Sequence, residues 1–253
     1  MNFWGRTVLE EARCRIFDFP FDLAALRVKP FLSVRVLASF GPVTRCRSIR
    51  YRFSPMQNFN LAVFSALNAG SAPHLAAVRF GVFAADWLVY AVPALLLLTW
   101  VMGARPTRRQ AIEAGVGACV ALALAQVIGH FWYSPRPFVL GVGTQLIPHA
   151  PDGSFPSDHA TFVCSVAAGL LIASTTRAAG VALAVIAAVV GWGRIYVGVH
   201  WPLDIAGGAL VGTAGALAAH LYGRPVTALL DRIGESVHAV AFTRLHERSI
   251  RLD

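Results

Sequence analysis

Five stretches of this chain stay apolar for about the 20 residues that a bilayer crossing requires. They run over Phe80–Met102, Ala111–Trp132, Ala160–Thr176, Ala178–Val197 and Ile205–Tyr222, and each predicts a membrane-spanning helix. A shorter segment, Asn58–Asn68, carries Leu61, Phe64 and Leu67 at helical spacing. It is too short to span and predicts an interfacial or re-entrant helix. Gly208, Gly212 and Gly215 punctuate the last stretch, which lets its backbone approach a neighbouring helix closely. After Arg224, Leu229, Ile233, Val237 and Val240 share one helical stripe, so an amphipathic helix lying along a surface is expected there. The pattern predicts an all-α integral membrane bundle of about five to six membrane helices.

Composition sharpens this reading. Of the 253 residues, 56% are hydrophobic and 14% charged, whereas a soluble domain is nearer a quarter charged. The net charge of +9 does not mark a nucleic-acid binder, because the basic residues sit in short clusters between apolar runs. Cys14, Cys46, Cys119 and Cys164 lack metal-binding spacing and read as small hydrophobes.

Those basic clusters also orient the bundle. Arg105, Arg108 and Arg109 follow the first span, Arg177 separates the third from the fourth, and Arg224 follows the fifth. By alternation all three sites fall on one side, which the positive-inside tendency makes the cytoplasm. The loops 133–159 and 194–204 then share the opposite side and hold nearly all the polar chemistry of the chain.

The first of these loops contains Ser134-Pro135-Arg136-Pro137-Phe138 and ends on Pro156-Ser157-Asp158-His159. The second runs from Arg194 through His200 and Trp201-Pro202-Leu203 to Asp204. Arginine recognises phosphate with a bidentate fork, so Arg136 and Arg194 are candidate phosphate ligands. Ser157 stands where a serine caps a helix, and free N–H groups at that end favour an anion. Pro202 suits a first helical turn. Asp204, four residues beyond His200, can accept a hydrogen bond from one ring nitrogen and leave the other as nucleophile or base. His159 offers a second imidazole for protonating a leaving oxygen. Asp86, inside the first span, reads equally as helix-end polarity or as a group near the site. His149, Asp152 and Asp158, with His159, also admit a metal-ligand reading, which loop solvation and helix capping match at least as well.

These residues resemble the signature of the type 2 phosphatidic acid phosphatases. That signature is a lysine seven residues before an Arg-Pro, then Pro-Ser-Gly-His, then Ser-Arg followed by His and Asp at fixed spacing. Here the parts are Arg136-Pro137, Pro156-Ser157-Asp158-His159, and Gly193-Arg194 with His200 and Asp204. The resemblance covers about residues 56–223. It implies that His200 attacks phosphorus to form a phosphohistidine, that Asp204 orients it, and that His159 protonates the leaving group and then activates water. It also implies that Arg136, Arg194, Ser157 and Asp158 line the substrate site, with no metal or cofactor.

Three positions depart from the signature. Gly129 stands where the lysine belongs, and His130 beside it is about 100° around the helix. Gly193 replaces a serine, and Asp158 replaces the glycine. The Asp158 form, with its SPRPF and HWPLD surroundings, resembles the undecaprenyl-diphosphate phosphatases of bacitracin resistance. An isoprenoid lipid diphosphate is therefore the expected substrate and partner. The expected setting is a bacterial inner membrane, with the site facing the periplasm or exterior. Phosphatidylglycerol phosphate or phosphatidic acid phosphatases and lipid phosphotransferases are the neighbouring alternatives. A non-catalytic headgroup-binding or transport protein is the alternative from another class, but binding alone needs neither His200 nor His159.

Residues 1–55 fit this scheme poorly. They carry ten of the 22 Lys and Arg residues against four of the 13 acids, and the orientation above places them outside. Two readings follow: an extension that is not native, with Met56 as the start, or a genuine basic extension that places the amphipathic segment differently. In both, a membrane-embedded domain over 56–223 and a cytoplasmic amphipathic tail over 224–253 are expected. On the first reading, a chain begun at Met56 is expected to insert and to keep full activity. Loss of either, with expression verified, would contradict that expectation.

Overall fold

The computed structural model describes residues 32–36, 47–51 and 55–250, which divide between two compact units, Met1–Ala66 and Leu67–Asp253. In the first, β1 (Leu32–Val36) pairs antiparallel with β2 (Arg47–Tyr51), Leu32 opposite Tyr51. Val34 and Val36 alternate with polar residues in β1, and Ile49 and Tyr51 do so in β2, a composition that suits a pleated ribbon. Sequence patterning alone assigned these residues no element. Helix α1 (Pro55–Leu67) follows, and at 13 residues it is too short to cross a bilayer.

The second unit is a helical bundle. Helix α2 (Leu75–Met102), α3 (Arg105–Phe131), α5 (Arg177–Tyr196) and α6 (Pro202–Tyr222) are each long and apolar enough to cross a membrane. Between α3 and α5 lies α4 (Asp158–Ile172), of 15 residues. A final helix, α7 (Arg224–Ile250), follows α6 with one intervening residue, Gly223.

Helix α2 is irregular. A regular segment Leu75–Val82 passes into a π turn at Phe83–Trp87 and a 3-10 turn at Leu88–Tyr90 before the α-helix resumes at Ala91–Met102. Pro93 accounts for the 3-10 turn: it donates no hydrogen bond, and its ring crowds the carbonyl one turn back, at Val89.

The predicted third span extended to Thr176, but α4 stops at Ile172. The hydroxyl of Thr176 donates to the carbonyl of Leu170 at 2.7 Å and caps the helix end. At 1.5 Å per residue α4 is about 22 Å long, less than the hydrocarbon thickness. It tolerates this because it sits at the centre. Val163, Val166, Ala167 and Leu170 pack with Ala114 and Ala118 of α3, Leu183 and Ala187 of α5, and Val92 of α2.

Small residues let the helices close on this centre. A Cβ at Gly208 would stand 2.7 Å from the Ser157 carbonyl, one at Gly212 would meet the Thr161 carbonyl and the Ser165 N–H, and one at Gly215 would meet Ala121. Helix α6 therefore lies backbone to backbone on α4 and α3, as its glycine spacing predicts. On α7, Glu235 takes a two-pronged bond from Arg108 at 2.7 and 2.8 Å, while Leu229, Ile233, Val237 and Val240 stay exposed.

The close crossing of α4 and α6 makes a measurable claim. Gly212→Val should lower the thermal unfolding midpoint of the detergent-solubilised protein, by overpacking of about 1–3 kcal/mol. Gly115→Ala, where an added Cβ meets nothing within 4 Å, should not lower it. An unchanged midpoint in Gly212→Val would show that the helices are not in backbone contact.

Candidate active site

Five segments converge at the end of the bundle opposite Arg105 and Arg177. They are the loop from α3 to α4, the start of α4, the end of α5, the short link 197–201 and the π turn of α2. The link turns sharply at Gly198, whose φ of +83° favours glycine and where a Cβ would collide with the Thr144 carbonyl. Val197 and Val199 on either side are buried with Ala85, Ile147 and Tyr196, which anchors the link against the long loop.

Arg136 is the central tie. It is buried at 5% exposure, and its guanidinium reaches two segments, the Asp152–Gly153 stretch and the Val199–His200 link. Its Nε donates to Asp152 Oδ1 at 2.7 Å, one terminal nitrogen to the Val199 carbonyl at 2.9 Å, and the other to the Gly153 carbonyl at 3.2 Å. The nitrogen bound to Val199 also lies 3.3 Å from His200 Nε2. Arginine can only donate, so this contact makes Nε2 the acceptor nitrogen and places the ring proton on Nδ1. Trp201 braces the same loop, with Nε1 donating to the Pro135 carbonyl at 2.9 Å. An isolated bridge joins Pro135 to Gly153.

Asp204 faces the protonated side of the His200 ring. Its Oδ2 stands 3.5 Å from His200 Nδ1, an ion-pair distance longer than a hydrogen bond. The same oxygen accepts the Trp201 N–H at 2.8 Å, which caps α6 and fixes the carboxylate. Both residues are buried, at 3% and 2% exposure. Burial pushes the His200 imidazole well below its ordinary 6.5, Arg194, Arg136 and His149 push the same way, and the Ser154 backbone opposes them. The ring is therefore neutral at neutral pH, the form in which Nε2 keeps its lone pair.

Arg194 is held from a different quarter. One terminal nitrogen donates to Asp86 Oδ1 at 3.2 Å and to the Ala85 carbonyl at 3.4 Å, both on the π turn of α2. Its Nε is buried with no hydrogen-bond partner, and so is Ser157 Oγ. Ser157 does occupy the N-cap position of α4, as expected, but its hydroxyl makes no cap bond. Instead its N–H donates to the Asp204 carbonyl at 3.1 Å, joining the starts of α4 and α6. Two buried donors without partners are costly unless something meets them. A tetrahedral oxyanion suits them, since α4 presents free N–H groups beside them.

The remaining candidates divide. His159, in the first turn of α4, is within electrostatic reach of Arg194 and His200. Asp158 is exposed, and its carboxylate accepts from Gln126 Nε2 of α3 at 3.1 and 3.2 Å, which braces α4 and leaves the group within electrostatic reach of Arg136 and Arg194. His130 is exposed and stacks edge-on against Phe131, so it does not supply the cation missing at Gly129. Gly193 has a packing reason: a Cβ there would stand 2.8 Å from the Ala85 N–H and 2.9 Å from the Ala84 Cβ. A serine at this position would wedge α5 away from the turn that carries Asp86. Among the described residues, no three of His, Cys, Asp and Glu are grouped to hold a metal ion.

His200 gives a direct test of this electrostatic picture. In a histidine NMR titration, its ring should remain neutral as pH falls through 6.5, the ordinary value, and gain a proton only at lower pH. Inorganic phosphate should move that titration upward, because a nearby anion favours imidazolium. A His200 signal titrating at or above 6.5 without phosphate would contradict the arrangement.

Known proteins carry the same framework. The PAP2 superfamily matches residues 110–227, a stretch that contains both loops, while Asp86 on α2 lies outside it. The chain is 38% identical to YbjG of Escherichia coli, over 66% of this chain and 83% of that one. It is 32% identical to the undecaprenyl-diphosphatase BcrC of Bacillus subtilis, over 60% of this chain and 78% of that one. Among solved structures, LpxE of Aquifex aeolicus superposes with a TM-score of 0.53 at 24% identity, covering 65% of this chain and 96% of that one, a likeness of fold. With a sequence match of this extent and a shared helical bundle, this multi-pass membrane protein belongs to the PAP2 superfamily.

Proposed function

We propose that the protein hydrolyses an isoprenoid lipid diphosphate, undecaprenyl diphosphate foremost, to the lipid monophosphate and inorganic phosphate. In a bacterial inner membrane, with the site on the periplasmic or outer face, this reaction recycles the carrier lipid of cell-wall synthesis. The observation that carries the reading is the neutral His200 ring held between Arg136 and Asp204, in a site where Arg194 Nε and Ser157 Oγ are buried without hydrogen-bond partners. The identity to a protein named undecaprenyl-diphosphatase points to the same class of substrate.

The chemistry follows from the side chains. The terminal phosphate is held by Arg194 Nε, Ser157 Oγ and the free N–H groups of α4, with Arg136 at its edge. His200 Nε2 attacks phosphorus in line with the bridging oxygen. A bound diphosphate favours the protonated form of His159, which burial and the neighbouring cations otherwise hold down to about 3. As the bond to the bridging oxygen breaks, this ring gives its proton to the departing lipid monophosphate. His200 then carries the phosphoryl group on Nε2, and Asp204 stabilises the positive ring through Nδ1–H. His159, now neutral, takes a proton from water, which attacks phosphorus and releases phosphate from His200. The fixed donors stabilise the charge spread over the equatorial oxygens in both steps.

Phosphate release by purified protein across a panel of lipids tests this. Isoprenyl diphosphates should be hydrolysed faster than phosphatidic acid, and the activity should persist in chelator. His200→Ala should abolish turnover. Arg194→Lys should lose activity by tenfold or more, since a point charge does not reproduce a planar fork, at about 1.4 kcal/mol per factor of ten. Preference for phosphatidylglycerol phosphate, or a fully active His200→Ala, would overturn the proposal.

A further inference from the structure

His149 is the titratable group at the site that the chemistry above leaves unused. It lies on the loop between α3 and α4, with its ring centroid 6.4 Å from that of His200 and its plane turned by 74°. Nδ1 meets the carbonyl of Ala150 at 3.1 Å. A carbonyl only accepts, so Nδ1 carries the ring proton and Nε2 is the free nitrogen. Nδ1 also stands 3.8 Å from Asp152 Oδ1, the oxygen that accepts from Arg136. The side chain keeps 24% of its surface exposed, so it stands at the rim of a site whose other cations are buried.

We infer that His149 is the subsite for the second phosphate of a diphosphate, and that it supplies the positive charge absent at Gly129. The inference rests on the reading of the protein as a diphosphate hydrolase. Geometry places His149 on the rim, one ring spacing outward from the attacking imidazole. With the terminal phosphate against His200, the inner phosphate of the same substrate, still bonded to the lipid, extends away from the nucleophile and toward the mouth. A monophosphate has no group to put there.

Charge fits the same assignment. The imidazole is held below its ordinary pKa by burial and by the charges of Arg136 and Arg194, against the opposing Ala150 carbonyl and Asp152. His200 and His159 are the other titratable rings within reach. A bound diphosphate adds negative charge at this position and reverses the balance. Nε2 then takes one proton from water and donates it to a phosphate oxygen. A lysine at Gly129 would present a permanent charge, whereas His149 presents one matched to the more highly charged substrate.

The test compares farnesyl diphosphate with farnesyl monophosphate in the full-length protein in detergent. His149→Ala should lower kcat/KM on the diphosphate by about tenfold, as expected for one lost hydrogen bond to a charged group. It should leave the monophosphate rate little changed. His149→Lys should restore the diphosphate rate, and His149→Gln, which keeps the shape without the charge, should not. Competition against a chromogenic phosphate monoester gives a readout independent of the lipid. Pyrophosphate inhibition should weaken in His149→Ala, while orthophosphate inhibition is retained. Equal losses on both substrates, unchanged rates on both, or equal weakening of both inhibitors would overturn the inference. Wild-type protein that fails to cleave farnesyl and undecaprenyl diphosphates would instead remove the proposed function, and the inhibitor pair would still judge the subsite.

Discussion

The loop-bearing end of this bundle depends on one buried guanidinium. Arg136 ties the Asp152–Gly153 stretch of the long loop to the Val199–His200 link between α5 and α6, beside the bonds from Trp201 Nε1 to the Pro135 carbonyl and from the Leu146 N–H to the Val197 carbonyl. Hydrogen bonds to a charged group contribute about 1.5–3 kcal/mol each, and removing the partner of a buried charge costs more than the bond itself. The arrangement is therefore cooperative. Asp152 neutralises Arg136, Arg136 fixes the tautomer of His200, and the tautomer decides which nitrogen meets the substrate. Arg194 repeats the logic from the other side, through Asp86 on the π turn. Each arginine thus has its own carboxylate, and Arg194 keeps a buried Nε without a hydrogen-bond partner for a phosphate oxygen.

That polar end is possible because the apolar part packs so closely. Gly208 and Gly212 bring α6 onto α4, which sets the starts of the two helices side by side and lets the Ser157 N–H reach the Asp204 carbonyl. Gly193 does the same for α5 and the π turn of α2, so that Arg194 reaches Asp86. A membrane interior offers little hydrophobic gain from helix association, and close van der Waals contact between small residues takes its place. The substitution of glycine for serine before Arg194 is then a packing requirement and not a lost ligand.

Much of this was legible in the sequence because it is local. Apolar runs near 20 residues mark spans, and the spacing from Arg194 to His200 to Asp204 places three groups within one turn-and-helix start. What was not legible is long-range. The partners Asp86 and Arg194 lie 108 positions apart, and Gln126 and Asp158 lie 32 apart. Neither pairing leaves a mark in periodicity or spacing. Asp158 reads as a substrate ligand from its place in PSDH, yet its helix phase turns it toward α3. The π turn was invisible as well, although Pro93 announced that α2 could not remain regular. The early stop of α4 follows from Thr176, whose buried hydroxyl closes the helix where hydropathy alone would have continued it.

The central claim is that the nitrogen facing Arg136, His200 Nε2, is the atom that takes the phosphoryl group. Rapid acid-free quenching of enzyme mixed with substrate labelled in its terminal phosphate, followed by digestion and mapping of the label, tests it most directly. The account predicts a base-stable, acid-labile label on His200 that accumulates further in His159→Ala. Label on an aspartate or serine, or none on a protein that turns over normally under those conditions, would contradict it.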